Sequence, residues 1–222
     1  MGKLIAIDGV DASGKQTHTE LLADYLVSKG YKVRRLSFPM YDSPSSTLVK
    51  MYLSGELGKN ADDVDAYCAS TLFAADRFAT YRSDWKADYD DADTIIIADR
   101  YVSSNMIHQA SKIDDPSEKD KFLEWLFDFE FSLYKLPQPD ITIFLDMPPE
   151  YGRILMQNRD NKFSGEKELD IHESDFSYLE KSYENAKYVA NKFGWQHILC
   201  VKDNKIRTIE DIQAEIIKLI EK

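Results

Sequence analysis

An apolar run, Leu4-Ile5-Ala6-Ile7, delivers the chain straight into Gly9-Val10-Asp11-Ala12-Ser13-Gly14-Lys15. This is the G-x-x-x-x-G-K pattern of a phosphate loop. Glycines let the backbone wrap closely around phosphate oxygens and aim several N–H groups at them. The following helix turns its positive end on the same anion, and Lys15 adds a point charge for the β and γ phosphates. The context is the required one, because residues 16–29 predict a helix. Leu21, Leu22, Tyr25 and Leu26 recur at helical spacing there, and Gly30 is a stop signal. The Ser or Thr that commonly follows the lysine as a Mg²⁺ ligand is Gln16 here, with Thr17 next.

A strand that feeds such a loop constrains the rest of the fold. Five apolar segments read as buried strands, at 4–7, 32–36, 94–98, 141–145 and 197–201, with helical patterns between them. The clearest helix is the last, with Ile209, Ile212, Ile216 and Ile220 on one face. Alternation of this kind predicts an α/β fold of three layers, a five-stranded, mostly parallel sheet flanked by helices. The 222 residues read as one domain.

Ligands of such sheets bind beyond the carboxyl ends of the strands, so the residues just past each strand are the ones to inspect. Phe38-Pro39-Met40-Tyr41 follows the second strand, Asp99-Arg100-Tyr101 the third, and Asp146-Met147-Pro148-Pro149-Glu150 the fourth. A carboxylate at Asp99 is placed to hold Mg²⁺ directly or through water, and Arg100 to neutralise phosphate charge. A structural Asp–Arg pair at a strand end is the plain alternative. In the helical segment Leu72-Phe73-Ala74-Ala75-Asp76-Arg77, Phe73 and Arg77 are four apart and share a face. A ring and a guanidinium so placed suit a flat heterocycle, although spacing alone fits a core Phe and a surface Arg better. Asn105 and Gln109 are again one turn apart and carry amides that read base edges, or else form a solvated face. Arg153, Arg159, Lys162 and Lys167 lie in a polar segment with Ser164 and Gly165. That segment, 153–172, reads as a lid that brings cations over phosphates, with Arg159 its key residue. His172-Glu173 lacks the second His of a zinc motif, and His18 and His197 read as structural or surface residues.

Taken together these motifs resemble the thymidylate kinase family of P-loop nucleoside monophosphate kinases. The resemblance rests on Asp8-Gly9-Val10-Asp11, Phe38-Pro39, Phe73-Ala74-Ala75-Asp76-Arg77, Asp99-Arg100-Tyr101-Val102-Ser103-Ser104, and Leu145-Asp146 with Pro149-Glu150. It implies a P-loop kinase fold and a set of roles. Gly9, Val10, Asp11, Ala12, Ser13, Gly14, Lys15, Gln16 and Thr17 would bind ATP. Asp11 would also reach the deoxyribose or phosphate of the acceptor. Phe73 would stack on thymine, Arg77 would bond its carbonyl, and Phe38, Asn105, His108 and Gln109 would complete the acceptor pocket. Asp99 and Arg100 would manage Mg²⁺ and the acceptor phosphate, with Lys15 and Arg159 as the other catalytic cations. This chain departs from the family at Met40, where many members place an arginine, and at His108, where Tyr is usual. Its phosphate loop also holds no Arg, which gives the lid arginines more to do.

The expected activity is therefore Mg²⁺-dependent transfer of the ATP γ-phosphoryl group to dTMP. A deoxynucleoside kinase, a nucleotide kinase of other base preference, and a non-catalytic nucleotide-binding regulator are the alternatives. Asn204-Lys205-Ile206-Arg207 and Asn161-Lys162-Phe163-Ser164, both of which lack the final Asp of Asn-Lys-x-Asp, argue against a GTPase. A net charge of −11 argues against a nucleic-acid partner, and no apolar stretch has transmembrane length. Two distant cysteines, Cys68 and Cys200, and an N-terminal apolar run too short for a signal peptide fit a cytoplasmic protein. The family resemblance also implies a homodimer.

Overall fold

A computed structural model describes residues 1–156 and 176–221. In chain order the strands are β1 (Lys3–Asp8), β2 (Lys32–Ser37), β3 (Thr94–Asp99), β4 (Ile141–Asp146) and β5 (Gln196–Leu199), followed by a short hairpin, β6 (Val201–Lys202) and β7 (Lys205–Ile206). The helices are α1 (Lys15–Ser28), α2 (Thr47–Leu53), α3 (Ala66–Thr80), α4 (Lys86–Asp90), α5 (Val102–His108), α6 (Pro116–Phe127), α7 (Pro149–Met156), α8 (Phe176–Phe193) and α9 (Ile209–Ile220). Two π turns, Tyr81–Trp85 and Asp128–Leu133, extend α3 and α6.

The first five strands form one sheet in the order β2-β3-β1-β4-β5, parallel at every pairing rather than mostly so. Side chains alternate across a strand, so a strand covered on both faces must be apolar throughout. β1 shows this directly. Leu4 and Ala6 join the core under α5 and α6, whereas Ile5 and Ile7 face Leu22, Leu26, Ile212 and Ile216 of α1 and α9. The first core also encloses the buried indole of Trp85, which meets the rings of Phe38, Tyr81 and Tyr101.

Two expectations need correction. The second strand is not buried; it is an edge, and among its residues only Leu36 is fully covered. Its charged residues pair outward instead, Lys32 with Asp91 at 2.7 Å and Arg34 with Asp84 at 2.6 Å, which discourages edge-to-edge association. The fifth strand does not run through 197–201. It ends at Leu199, Cys200 turns inward, and Val201 begins the β6–β7 hairpin, whose turn residues Asp203 and Asn204 have φ of 51° and 57°. Smaller shifts occur at the helices. α1 begins at Lys15, and Ile209 of α9 stays exposed at its first turn while Ile212 and Ile216 are buried.

Parallel strands place all their carboxyl ends on one rim. β1 and β3 therefore bring Asp8 and the phosphate loop beside Asp99 and Arg100, while β4 delivers Asp146 and α7 on the other side.

Candidate active site

The phosphate loop is shaped by what cannot fit in it. A Cβ on Gly9 would lie 2.7 Å from the Leu145 carbonyl and 2.8 Å from Ser13 Oγ, so only glycine is accommodated. Ala12 and Gly14 have left-handed φ of 59° and 86°. Among the described residues no side chain caps α1, and its first turn holds no acidic residue, so its leading amides are left for an anion. The Lys15 ammonium folds back onto the loop, donating to the carbonyls of Gly9 (3.0 Å) and Val10 (2.8 Å). Gln16 turns along the helix to Glu20 at 3.0 Å. On the far side, Gly152 of α7 packs against the loop, where a Cβ would come within 3.2 Å of the Asp11 carbonyl.

Asp8 organises the floor of the site. Its buried carboxylate accepts from the Gly9 amide at 2.9 Å, Ser103 Oγ at 2.6 Å and Ser104 Oγ at 2.9 Å. One carboxylate thus ties the end of β1, the start of the loop and the start of α5. Sequence reading recorded these residues only as parts of motifs.

Next to it, Arg100 adopts a left-handed φ of 66°, which aims its side chain across the rim while its amide stays bonded to the Ile7 carbonyl at 3.1 Å. The guanidinium pairs with Asp11 and lies 3.3 Å from His108 Nε2. The charges here are strongly coupled. Burial alone would raise the Asp11 carboxyl, but Arg100, Lys15 and His108 outweigh it and hold Asp11 far below the usual carboxylate range. Burial would also lower Arg100, yet the carboxylates of Asp11, Asp8 and Asp99 keep it above its ordinary value. Lys15 goes the other way. Burial, assisted by the Arg100 charge, brings it down to about 8.

A cavity of about 530 Å³ opens from this cluster. Its walls include Asp11, Phe38, Phe73, Arg77, Arg100, Asn105, His108 and Gln109, so every acceptor residue expected from the sequence lines one space. Phe73 is braced edge-on by Tyr52 at 5.9 Å, and Phe38 is packed on Tyr101 behind a cis Phe38–Pro39 peptide. Two simple readings fail. Arg77 is not a surface residue, being only 2% exposed, and Asn105 and Gln109 are buried rather than on a solvated face. Arg77 forms a two-pronged ion pair with the buried Glu130 at 2.7 and 2.5 Å. Gln109 Oε1 finds no hydrogen-bond partner among the described residues. Asp76 of the same motif has different partners, accepting from the Met40 amide at 2.9 Å and Ser45 Oγ at 2.5 Å. It fixes the loop after β2, and the Met40 side chain packs on the core.

Asp146 bonds Tyr183 (2.7 Å) and His197 (2.6 Å), and His18 is buried against Gln213 at 2.9 Å, so both histidines are structural. Arg153 lies on α7, whereas Arg159, Lys162 and Lys167 fall outside the described residues. Sequence reading missed Glu130 altogether. Its signal is the run Phe127-Asp128-Phe129-Glu130-Phe131, in which a carboxylate drawn inward with the rings has to find a buried partner.

Among the described residues no three His, Cys, Asp or Glu side chains are grouped to hold a metal. Asp99, buried at the end of β3 beside the phosphate loop, supplies one carboxylate. That donor set fits Mg²⁺ in the manner of phosphotransferases, where the ion keeps several waters and takes most other ligands from the nucleotide.

A glycine loop closed by a lysine, a paired arginine across the rim and a flat-walled pocket beside them define a P-loop nucleotide kinase. Comparisons with known proteins narrow the class. The family model described as Thymidylate kinase matches residues 7–212. The thymidylate kinase of Mycobacterium tuberculosis (strain H37Rv) is 35% identical over 150 residues, covering 66% of this chain and 67% of that protein. The thymidylate kinase of Plasmodium falciparum (isolate 3D7) is 26% identical over 229 residues, covering 100% of this chain and 90% of the other. In fold, the chain is similar to the solved thymidylate kinase of Candida albicans, with a TM-score of 0.70 at 22% identity over 99% of this chain and 91% of that one. This chain belongs to the thymidylate kinase family.

Proposed function

We propose that the protein transfers the γ-phosphoryl group of ATP to the phosphate of dTMP, giving ADP and dTDP. The observation that carries this reading is a single cavity lined both by Phe73, Arg77, Asn105 and Gln109, suited to a base, and by Asp11 and Arg100, whose charges couple to Lys15. The acceptor oxygen is already anionic, so no strong general base is required. Catalysis then consists of alignment and charge neutralisation. Lys15 holds the β and γ phosphates, the loop amides cradle them, and Arg100 takes the acceptor phosphate in place of the arginine that Met40 replaces. Asp11 orients Arg100 and meets the sugar or phosphate of the acceptor. Phe73 stacks on the base, while Phe38 and His108 close the sugar side. Asp99 would hold Mg²⁺, which would supply positive charge to the transferring phosphates. Arg159 is proposed as the lid cation.

Turnover with ATP and Mg²⁺ is expected to favour dTMP over dCMP, dGMP, AMP, GMP and thymidine, and to stop on addition of EDTA. Preference for thymidine would reassign the chain to the nucleoside kinases, and nucleotide binding with no product from any acceptor would make it a regulator. His108 keeps a second reading in view, a kinase that also accepts a ribonucleotide, which parallel assays with dUMP and UMP decide.

We also infer a homodimer. Its support is an exposed aromatic face spanning α3, α6 and the second π turn. The Tyr67 ring lies tilted against Trp125 at 4.7 Å and that of Phe78 against Tyr134 at 4.8 Å, and Leu133 is 67% exposed. Sedimentation should give twice the chain mass, and a concentration-independent monomer would overturn the inference. A cytoplasmic location is supported by two free cysteines, and no described helix is long and apolar enough to cross a membrane.

A further inference from the structure

We propose that Glu130 is a positioning residue that sets the hydrogen-bond polarity of the base pocket, selecting an imide-type pyrimidine edge over an aminopyrimidine one. The proposal builds on the reading that this cavity receives the acceptor base.

Glu130 is wholly buried, in the π turn that continues α6, and is 53 residues from Arg77 in the chain. Its two oxygens take Arg77 Nε at 2.7 Å and Nη2 at 2.5 Å, a fork-to-fork pairing that fixes the guanidinium plane. The Nη1 end of Arg77 lies 3.4 Å from the Tyr101 carbonyl. One hydrogen on each terminal nitrogen therefore remains for the cavity that Arg77 lines. Paired in this way, Arg77 presents a neutralised donor edge and not a mobile cation. Such an edge suits an uncharged carbonyl and gives no particular advantage to a phosphate.

The same carboxylate acts on Asn105. Asn105 Nδ2 reaches Glu130 Oε1 at 3.4 Å and the Ser70 carbonyl at 3.2 Å, which engages both amide hydrogens. What Asn105 has left to offer is its Oδ1 acceptor. Glu130 thus holds a donor, Arg77, beside an acceptor, Asn105, in the wall of one cavity. An imide edge, a carbonyl next to a ring N–H, complements that order. An aminopyrimidine edge carries an amino donor and a bare ring nitrogen, so it meets donor with donor and acceptor with acceptor. A site with fixed polar groups rejects such a mismatch strongly, because its buried groups are left unpaired.

The test is Glu130→Gln, which keeps the side-chain volume but replaces one acceptor oxygen with an amide donor that faces the guanidinium. Equilibrium binding of dTMP and dCMP by calorimetry, and steady-state kinetics with both, are measured on the parent and the variant. The parent should bind dTMP at least a hundredfold tighter than dCMP. In the variant the KM for dTMP should rise tenfold or more and the dTMP:dCMP preference should fall at least tenfold, with kcat within about threefold and the KM for ATP unchanged. A role confined to stability would lower the active fraction, and so kcat, while leaving both KM values and the preference as they were. A folded variant that behaves so overturns the proposal. If Glu130→Gln does not fold, Glu130→Asp, which keeps the charge but withdraws it by one methylene, should shift the same ratios in the same direction, and unchanged ratios there count against it equally. A parent that prefers dUMP or UMP to dTMP would remove the thymidylate reading but keep this one, since both carry the imide edge. A parent that prefers dCMP, or binds neither dTMP nor dCMP, would overturn it.

Discussion

The Lys15→Ala variant is expected to fold as the parent does and to lose roughly a thousandfold in kcat, as removal of a preorganised charge from a developing transition state does. The fold should tolerate it because, among the described residues, the ammonium bonds only the Gly9 and Val10 carbonyls and approaches Ser13 Oγ, all within the loop. The stability cost should be about 1–2 kcal/mol, read as a shift in thermal unfolding. The same residue predicts a pH profile. With Lys15 brought down to about 8, the free enzyme loses this charge as pH rises through that value. It is the protonated form that holds phosphate, so kcat/KM for ATP should fall above pH 8, approaching about tenfold per unit. Bound phosphates favour the charged ammonium, so kcat at saturating ATP should hold its plateau to higher pH. The inflection should be missing from Lys15→Ala. Near-parental turnover in that variant would remove the phosphate loop from the mechanism.

Arg100→Ala is the second large effect. It deletes the cation assigned to the acceptor phosphate and leaves Asp11 without the partner that does most to hold it ionised. The expected loss in kcat/KM for dTMP is about a thousandfold, roughly 4 kcal/mol, with little change in the KM for ATP. Part of that loss is the stranded carboxylate and not the missing arginine. Arg100→Ala combined with Asp11→Asn should therefore recover about tenfold, a coupling that only neighbouring residues show. A loss of only a few-fold in the single variant, or no recovery in the double, would assign the acceptor phosphate to another cation.

The rim of the site was legible in the sequence because it is written in short local words. A parallel sheet sends every strand end to one side, so Asp8 to Lys15, Phe38 and Asp99-Arg100 could be grouped before any coordinates. The base pocket was half legible. Spacing put Phe73 with Arg77 and Asn105 with Gln109 on shared faces, yet it could not bring the two pairs together, because that requires α3 to pack on α5. Nor could it supply Glu130, whose partner is 53 residues away and which itself lies in a π turn off the helical period. The second strand misled for a related reason. Val33 and Leu36 look like core residues, but strand order, which no local pattern encodes, placed β2 at the edge. Asp76 sits beside Arg77 in the motif but serves the loop carrying Met40, a contact 36 residues away that no local pattern announces.

The Asp8 carboxylate has a consequence for how the two substrates meet. It binds the root of the phosphate loop through the Gly9 amide and the root of α5, proposed to carry the acceptor, through Ser103 and Ser104. Loop and helix therefore share one anchor, and on the proposed reading the span between the phosphate that gives and the phosphate that receives would be set by the resting protein. Part of the alignment that two free nucleotides would have to find by chance in water would then be made when the chain folds, before either has arrived.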